Sequence, residues 1–156
     1  MTHDVEAVWM GKMQFNALIM GNHTVVMDAP ERVGGEDLGP IPKPLFLTSL
    51  AGCTGMDVVA ILRNRNKPLD RFEVRVAGTV SNDKPIQYTG IHLVYDMHGD
   101  AGHEEEALKA VERSQHDLCG VSAMIKRSLP VTWEVRFNGA VRFSNAVPER
   151  AGAAEA

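Results

Sequence analysis

Two cysteines, Cys53 and Cys119, are the residues of this chain whose chemistry is simplest to name. A thiol acts as nucleophile and reductant through its thiolate, which helix N-termini and nearby cations stabilise. Cys53 lies in an apolar run, L-F-L-T-S-L-A-G-C-T-G-M-D-V-V-A-I-L, from Leu45 to Leu62. Cys119 follows 66 residues later, at the break D-L-C-G-V-S in a second helical segment. If Gly120 opens a helix, Cys119 is its cap residue and the free N–H groups of the first turn face the sulfur. Two cysteines in helical contexts suit a thiol pair better than a disulfide scaffold. The bland alternative is a pair of small buried hydrophobes, a common state of free cysteine.

Other chemistry-bearing residues are less pointed. Arg32 sits in a Pro/Gly-rich stretch before the apolar run, where an arginine near a thiolate would favour it and hold a peroxide; an exposed loop arginine is the default. Asp57, one turn after Cys53, reads as a capping or internally paired residue. Histidines 92, 98, 103 and 116 match no structural zinc spacing with the cysteines, so no metal is expected. The eight methionines are spread along the chain as core filling. No phosphate loop, nucleophile elbow or dinucleotide fingerprint occurs, and no cofactor is expected.

The elements that must position the thiols follow from periodicity. The first 28 residues read as strands, with Met13, Phe15, Ala17 and Ile19 on one face and a turn at Gly21-Asn22. Residues 29–44 hold four prolines and three glycines, the composition of a connector or of a loop folded over a site. A helix runs from near Pro44 to before Pro68 and is apolar almost all round, so it needs cover on most sides. R-F-E-V-R-V-A-G-T-V is a half-buried strand with Phe72, Val74, Val76 and Val80 inward, and it pairs with a strand carrying Ile91, Leu93, Tyr95 and Met97. Residues 103–127 are helical with an acidic first turn, and Leu108, Val111, Gln115, Leu118, Ser122 and Ile125 form the inward stripe, interrupted near Cys119. V-T-W-E-V-R-F, Asn138-Gly139 and A-V-R-F make a closing hairpin. The tail from Glu149 is expected to be disordered. Segregated strands and helices define one α+β domain over residues 1–156.

Size and charge narrow the function. A chain of 156 residues buries enough surface for a core without disulfide staples. Its net charge of −4 and single short basic cluster, Arg63, Arg65 and Lys67, argue against nucleic acid; the cluster complements a helix C-terminus. The first residues lack the basic start and apolar run of a secretory signal. Thr48, Ser49, Thr54 and Asp57 interrupt the apolar run, which reads as a buried helix and not a membrane span. The expectation is a soluble cytoplasmic protein.

The stretch G-G-E-D-L-G-P-I-P-K-P-L-F-L-T-S-L-A-G-C-T, ending just past Cys53, resembles the first signature of the OsmC/Ohr family, and D-L-C-G-V-S around Cys119 resembles its second. The order of elements matches along essentially the whole chain. The resemblance implies an α+β fold with two central helices packed between β-sheets, in an intertwined homodimer with sites at the subunit interface. It also implies a thiol peroxidase that reduces organic hydroperoxides or hydrogen peroxide and is recycled by a dithiol reductant. Cys53 would then be the peroxidatic residue, Cys119 the resolving thiol and Arg32 the candidate activating arginine.

Two positions depart from the family pattern. The acid that precedes the first cysteine helix in the peroxidases is replaced by Pro42-Lys43-Pro44, with Glu36 and Asp37 nearby but out of place. The proline that often follows the second cysteine is Gly120. The competing expectation is a non-catalytic OsmC-like dimer that binds a small apolar molecule.

Overall fold

A computed structural model describes residues 1–146. The tail expected to be disordered, from Glu149, lies outside the described residues. The chain divides into two compact units, Met1–Phe46 and the segment from Leu47 onward.

The first unit is an antiparallel sheet of β1 (Val5–Gly11), β2 (Gln14–Ile19) and β3 (His23–Met27) in the order β1-β2-β3. The Pro/Gly-rich stretch after it is tightly built. Buried Asp28 accepts Ala29 N–H at 2.7 Å on Oδ1, and Glu36 and Leu38 N–H at 2.9 and 3.2 Å on Oδ2. Burial alone would raise its pKa, but these three backbone donors hold the carboxyl below its ordinary value. A Cβ at Gly35 would lie 1.8 Å from the Ala29 carbonyl oxygen, and one at Gly39 would lie 2.4 Å from that of Val26. Only glycine permits that approach. Arg32 lies in the one-turn helix Glu31–Val33 of this loop, and Glu36 pairs with Lys12 at 2.8 Å.

The second unit carries the thiols. Helix α1 (Pro42–Asn64) begins within the first unit and continues through this one. It stops before Pro68, as the sequence requires. β4 (Arg71–Val80) and β5 (Tyr88–His98) pair antiparallel. The chain then crosses over through α2 (Glu104–Arg113), a π-helical turn (Ser114–Leu118) and α3 (Gly120–Lys126) to β6 (Val131–Phe137). β6 lies parallel to β5, which accounts for the long helical connection. β7 (Ala140–Ser144) closes the sheet in the order β4-β5-β6-β7 through the Asn138-Gly139 turn, where both residues have positive φ.

The core of this unit lies between the inner face of the sheet and one stripe of each helix. Leu50, Val58 and Leu62 of α1 meet Ile91, Leu93, Tyr95 and Met97 of β5, Trp133, Val135 and Phe137 of β6, and Ala107, Ala110 and Val111 of α2. The α1 stripe has a strict four-residue spacing, with Thr54 completing it. α1 has the length and hydropathy of a membrane span, but that stripe belongs to the core of a folded domain.

This chain leaves part of α1 without the cover it needs: Met56 is 74% exposed and Val59 40%. Two expectations need correction. Val80 does not face inward with Phe72, Val74 and Val76, because the β4–β5 register shifts between Thr79 and Val80 and turns it to solvent. Leu118 leaves the inward stripe for a similar reason. The π turn adds a residue to the helical ladder, which keeps Ser114 and Gln115 inside and rotates Leu118 out.

Candidate functional site

Cys53 and Cys119 are free thiols, one half-buried and the other buried. Their sulfurs and one carboxylate oxygen of Asp57 all lie within 4.8 Å of one another. Cys53 and Asp57 are four residues apart on α1, so they share one helix face. Cys119 is delivered to them by the π turn. Its N–H bonds the Ser114 carbonyl at 2.9 Å, the i to i+5 bond of a π turn, and its backbone then turns extended to cap α3. As the sequence predicts, the Cys119 sulfur faces the first turn of α3, where it accepts the Ser122 N–H at 3.3 Å.

Burial pushes the Cys119 thiol up to about 11; the Ser122 N–H opposes this, and Cys53 and Asp57 reinforce it. Cys119 is therefore a neutral thiol in the resting protein. The helical cap alone does not overcome the loss of solvent. Lys126 interacts electrostatically with Cys119, but its ammonium donates to the Gln115 carbonyl at 2.6 Å and lies 4.7 Å from the centre of the Trp133 ring. Partial burial lowers the Lys126 pKa.

A buried polar chain adjoins the cluster, and its proton directions follow from counting. Asp57 Oδ2, as a carboxylate, only accepts, so Ser114 donates to it at 2.9 Å. With its one proton so committed, Ser114 accepts from Thr54 at 2.8 Å, and Thr54 accepts from the Tyr95 hydroxyl at 2.7 Å. Tyr95 accepts from the Gln115 amide, whose oxygen takes the Ser122 hydroxyl at 2.7 Å. Every bond points the same way, toward Asp57, and aligned bonds of this kind polarise one another. Thr54→Val keeps the side-chain shape and removes the link between Tyr95 and Ser114. The expected cost is about 1–3 kcal/mol, because a buried phenol donor loses its acceptor. Urea unfolding of the variant at wild-type midpoint would show the chain to be energetically idle.

Burial also raises Tyr95, to about 12, against its hydrogen bonds with Thr54 and Gln115, which lower it. Cys119 and Tyr95 both keep protons in the native state that the unfolded chain releases from ordinary values of 9.0 and 10.0. The unfolded state then binds fewer protons than the native one, so stability falls as pH rises. The stability is fully present below about pH 9 and is lost progressively toward pH 11–12. Urea midpoints measured across that range should decline, and the decline should be shallower in Cys119→Ala. A flat profile would contradict the buried neutral thiol.

Arg32 belongs to the first unit, and the cysteines to the second. His92 contacts the Thr132 hydroxyl, His98 lies beside Asp96, His103 meets the Pro68 carbonyl, and His116 packs edge-on to Trp133. Asp57 is paired internally, as expected, but it is also the third member of the cluster. Its i, i+4 spacing from Cys53 was the available signal. Thr54, Tyr95, Ser114, Gln115 and Ser122 come from four elements, and no local pattern joins them.

The fold thus brings a helix-borne thiol and a second thiol from a helix break together on a mixed α+β scaffold. The family profile described as OsmC-like protein matches residues 34–134, and the chain belongs to that family. It is 24% identical over 124 residues to protein YhfA of Escherichia coli, covering 80% of this chain and 90% of that one. A crystal structure of a hypothetical protein from Aquifex aeolicus superposes with a TM-score of 0.73 at 26% identity, over 88% of this chain and 98% of that one. An organic hydroperoxide resistance protein OsmC from Legionella pneumophila has the same fold, with a TM-score of 0.63 at 18% identity over 86% and 96% of the two chains.

Proposed function

We propose that the protein is a thiol peroxidase that reduces organic hydroperoxides or hydrogen peroxide with Cys53 and Cys119. The observation that carries this reading is the approach of the two sulfurs, both free, within 4.8 Å. The Cys53 thiolate attacks the outer peroxide oxygen, the O–O bond breaks, and the leaving alkoxide (hydroxide from hydrogen peroxide) takes a proton to become an alcohol (or water). The sulfenic acid on Cys53 condenses with the Cys119 thiol, releasing water and forming a disulfide. A dithiol donor returns two electrons and two protons. The accessibilities favour this assignment of roles. Cys53 is half-buried and can meet a substrate, whereas Cys119 is 2% exposed and its thiol holds its proton. Arg32 is the arginine proposed to favour the Cys53 thiolate. Free thiols suit a reducing compartment such as the cytoplasm.

The test is peroxide consumption by the full chain with a dithiol donor, for alkyl hydroperoxides and hydrogen peroxide separately. No turnover above the protein-free rate with any of them would remove the enzyme reading and leave the non-catalytic binding dimer.

The same reading includes a homodimer. Met56 and Val59 lie exposed on α1 beside Gly52, Gly55 and Ala60, in a shallow apolar depression completed by Phe72 and Val74. A second subunit over this face would bury more than about 2,000 Å² in an obligate dimer. Sedimentation equilibrium at micromolar concentration is expected to give twice the 17.1 kDa chain mass. A folded monomer under those conditions would refute it.

A further inference from the structure

We infer that Cys53, Asp57 and Cys119 of the reduced protein form a three-ligand site for a soft divalent cation of the zinc type. The site goes beyond the peroxidase reading and does not depend on it. Two thiolates and a carboxylate match the donor preferences of zinc and its congeners, and three protein ligands leave a fourth position for water. Zinc–sulfur bonds of about 2.3 Å and zinc–oxygen bonds of about 2.0–2.2 Å in a tetrahedron put ligand atoms about 3.5–3.8 Å apart. The three atoms already lie within 4.8 Å of one another, so side-chain adjustments of about 1 Å close the site.

The surroundings are those of a metal site as well. Asp57 Oδ2 is held by the Ser114 hydroxyl, at the end of a hydrogen-bond chain whose protons all point toward it. Such support orients ligands and strengthens binding. The Cys119 sulfur is oriented by the Ser122 N–H. All three donors become negative when deprotonated, and the neighbouring ammonium of Lys126 is directed to the Gln115 carbonyl and the Trp133 face instead. A divalent cation supplies the positive charge that three such donors call for. Asp57 also lines an open cavity of about 280 Å³ with Asn64, Arg65, Arg113 and Leu118, which gives a route from solvent. The two arginines at that mouth disfavour cation entry. Arg65 is already paired with Glu106.

Metal and disulfide compete for the same sulfurs, so only the reduced form binds. The experiment is an anaerobic titration of reduced, metal-free protein with Co(II), followed by displacement with Zn(II) against a chromophoric chelator. One equivalent per chain is expected, with a thiolate-to-cobalt charge-transfer band and tetrahedral d–d bands displaced by zinc. Cys53→Ser and Cys119→Ser should each lose about half of the charge-transfer intensity, as one of two thiolates is removed. Ser114→Ala, which keeps all three ligands, should weaken zinc binding about 10–100-fold. Asp57→Asn should weaken it further while retaining the two-thiolate band. No charge-transfer band in the reduced wild type would overturn the site, whatever the variants do. Equal binding by the oxidised protein, or by Asp57→Asn, would overturn it too. Peroxide consumption is a separate readout, so either conclusion can fail alone.

Discussion

Cys53→Ser is expected to bring hydroperoxide consumption down to the uncatalysed rate, and Cys119→Ser to leave a single turnover per chain. A serine hydroxyl at position 53 stays protonated near neutrality and lacks the polarisable sulfur that attacks an O–O bond. With Cys119 replaced, Cys53 still reaches the sulfenic acid, but no thiol stands within 4.8 Å to condense with it. The sulfenic acid then accumulates, and a dimedone adduct on Cys53 seen by mass spectrometry would record it. The asymmetry follows from the site. Cys119 is buried with its pKa pushed up to about 11, so it is poorly placed to attack and well placed to wait. A Cys53→Ser protein that retains the first turnover while Cys119→Ser loses it would reverse the two roles.

That asymmetry was only half visible in the chain. Both cysteines, their helical settings and the break at Gly120 are legible, because glycine after an apolar helical stripe punctuates the pattern. The strands β4, β5, β6 and β7 are legible for the same kind of reason: alternation such as Ile91, Leu93, Tyr95 and Met97 reads directly as an inner face. The π turn is not legible. Leu108, Val111, Gln115, Leu118, Ser122 and Ile125 continue a plain helical register, and the extra residue is set by the bond from Cys119 N–H to Ser114 and by the polar partners of Ser114 and Gln115. Those partners, Thr54, Asp57 and Tyr95, lie on other elements, beyond any local window. The Pro/Gly-rich loop was misleading in a different way. Its composition suggests a loose connector, while Gly35 and Gly39 are there to let the backbone approach Val26 and Ala29 around the Asp28 carboxylate.

Oxidation to the Cys53–Cys119 disulfide is expected to raise stability by about 4 kcal/mol, as the entropic estimate gives for a loop of this length. The loop between the sulfurs spans 66 residues and includes β4, β5 and α2, so the constraint acts on most of the second unit's unfolded chain. The sulfurs start within 4.8 Å, and a disulfide requires about 2.05 Å. Oxidation has a second consequence that separates it from generic cross-linking. It removes the Cys119 thiol as a titrating group, so the part of the alkaline stability loss that begins near pH 9 disappears and only the later Tyr95 contribution remains. The gain on oxidation should therefore widen as pH rises from about 8 to about 10.5. Urea unfolding of the reduced and oxidised proteins, with and without reductant, measures both effects, and Cys119→Ser should show neither. A disulfide form that is less stable than the dithiol, or a gain that does not change with pH, would mean that closing the bond distorts the α3 cap and its contacts with Gln115 and Ser122.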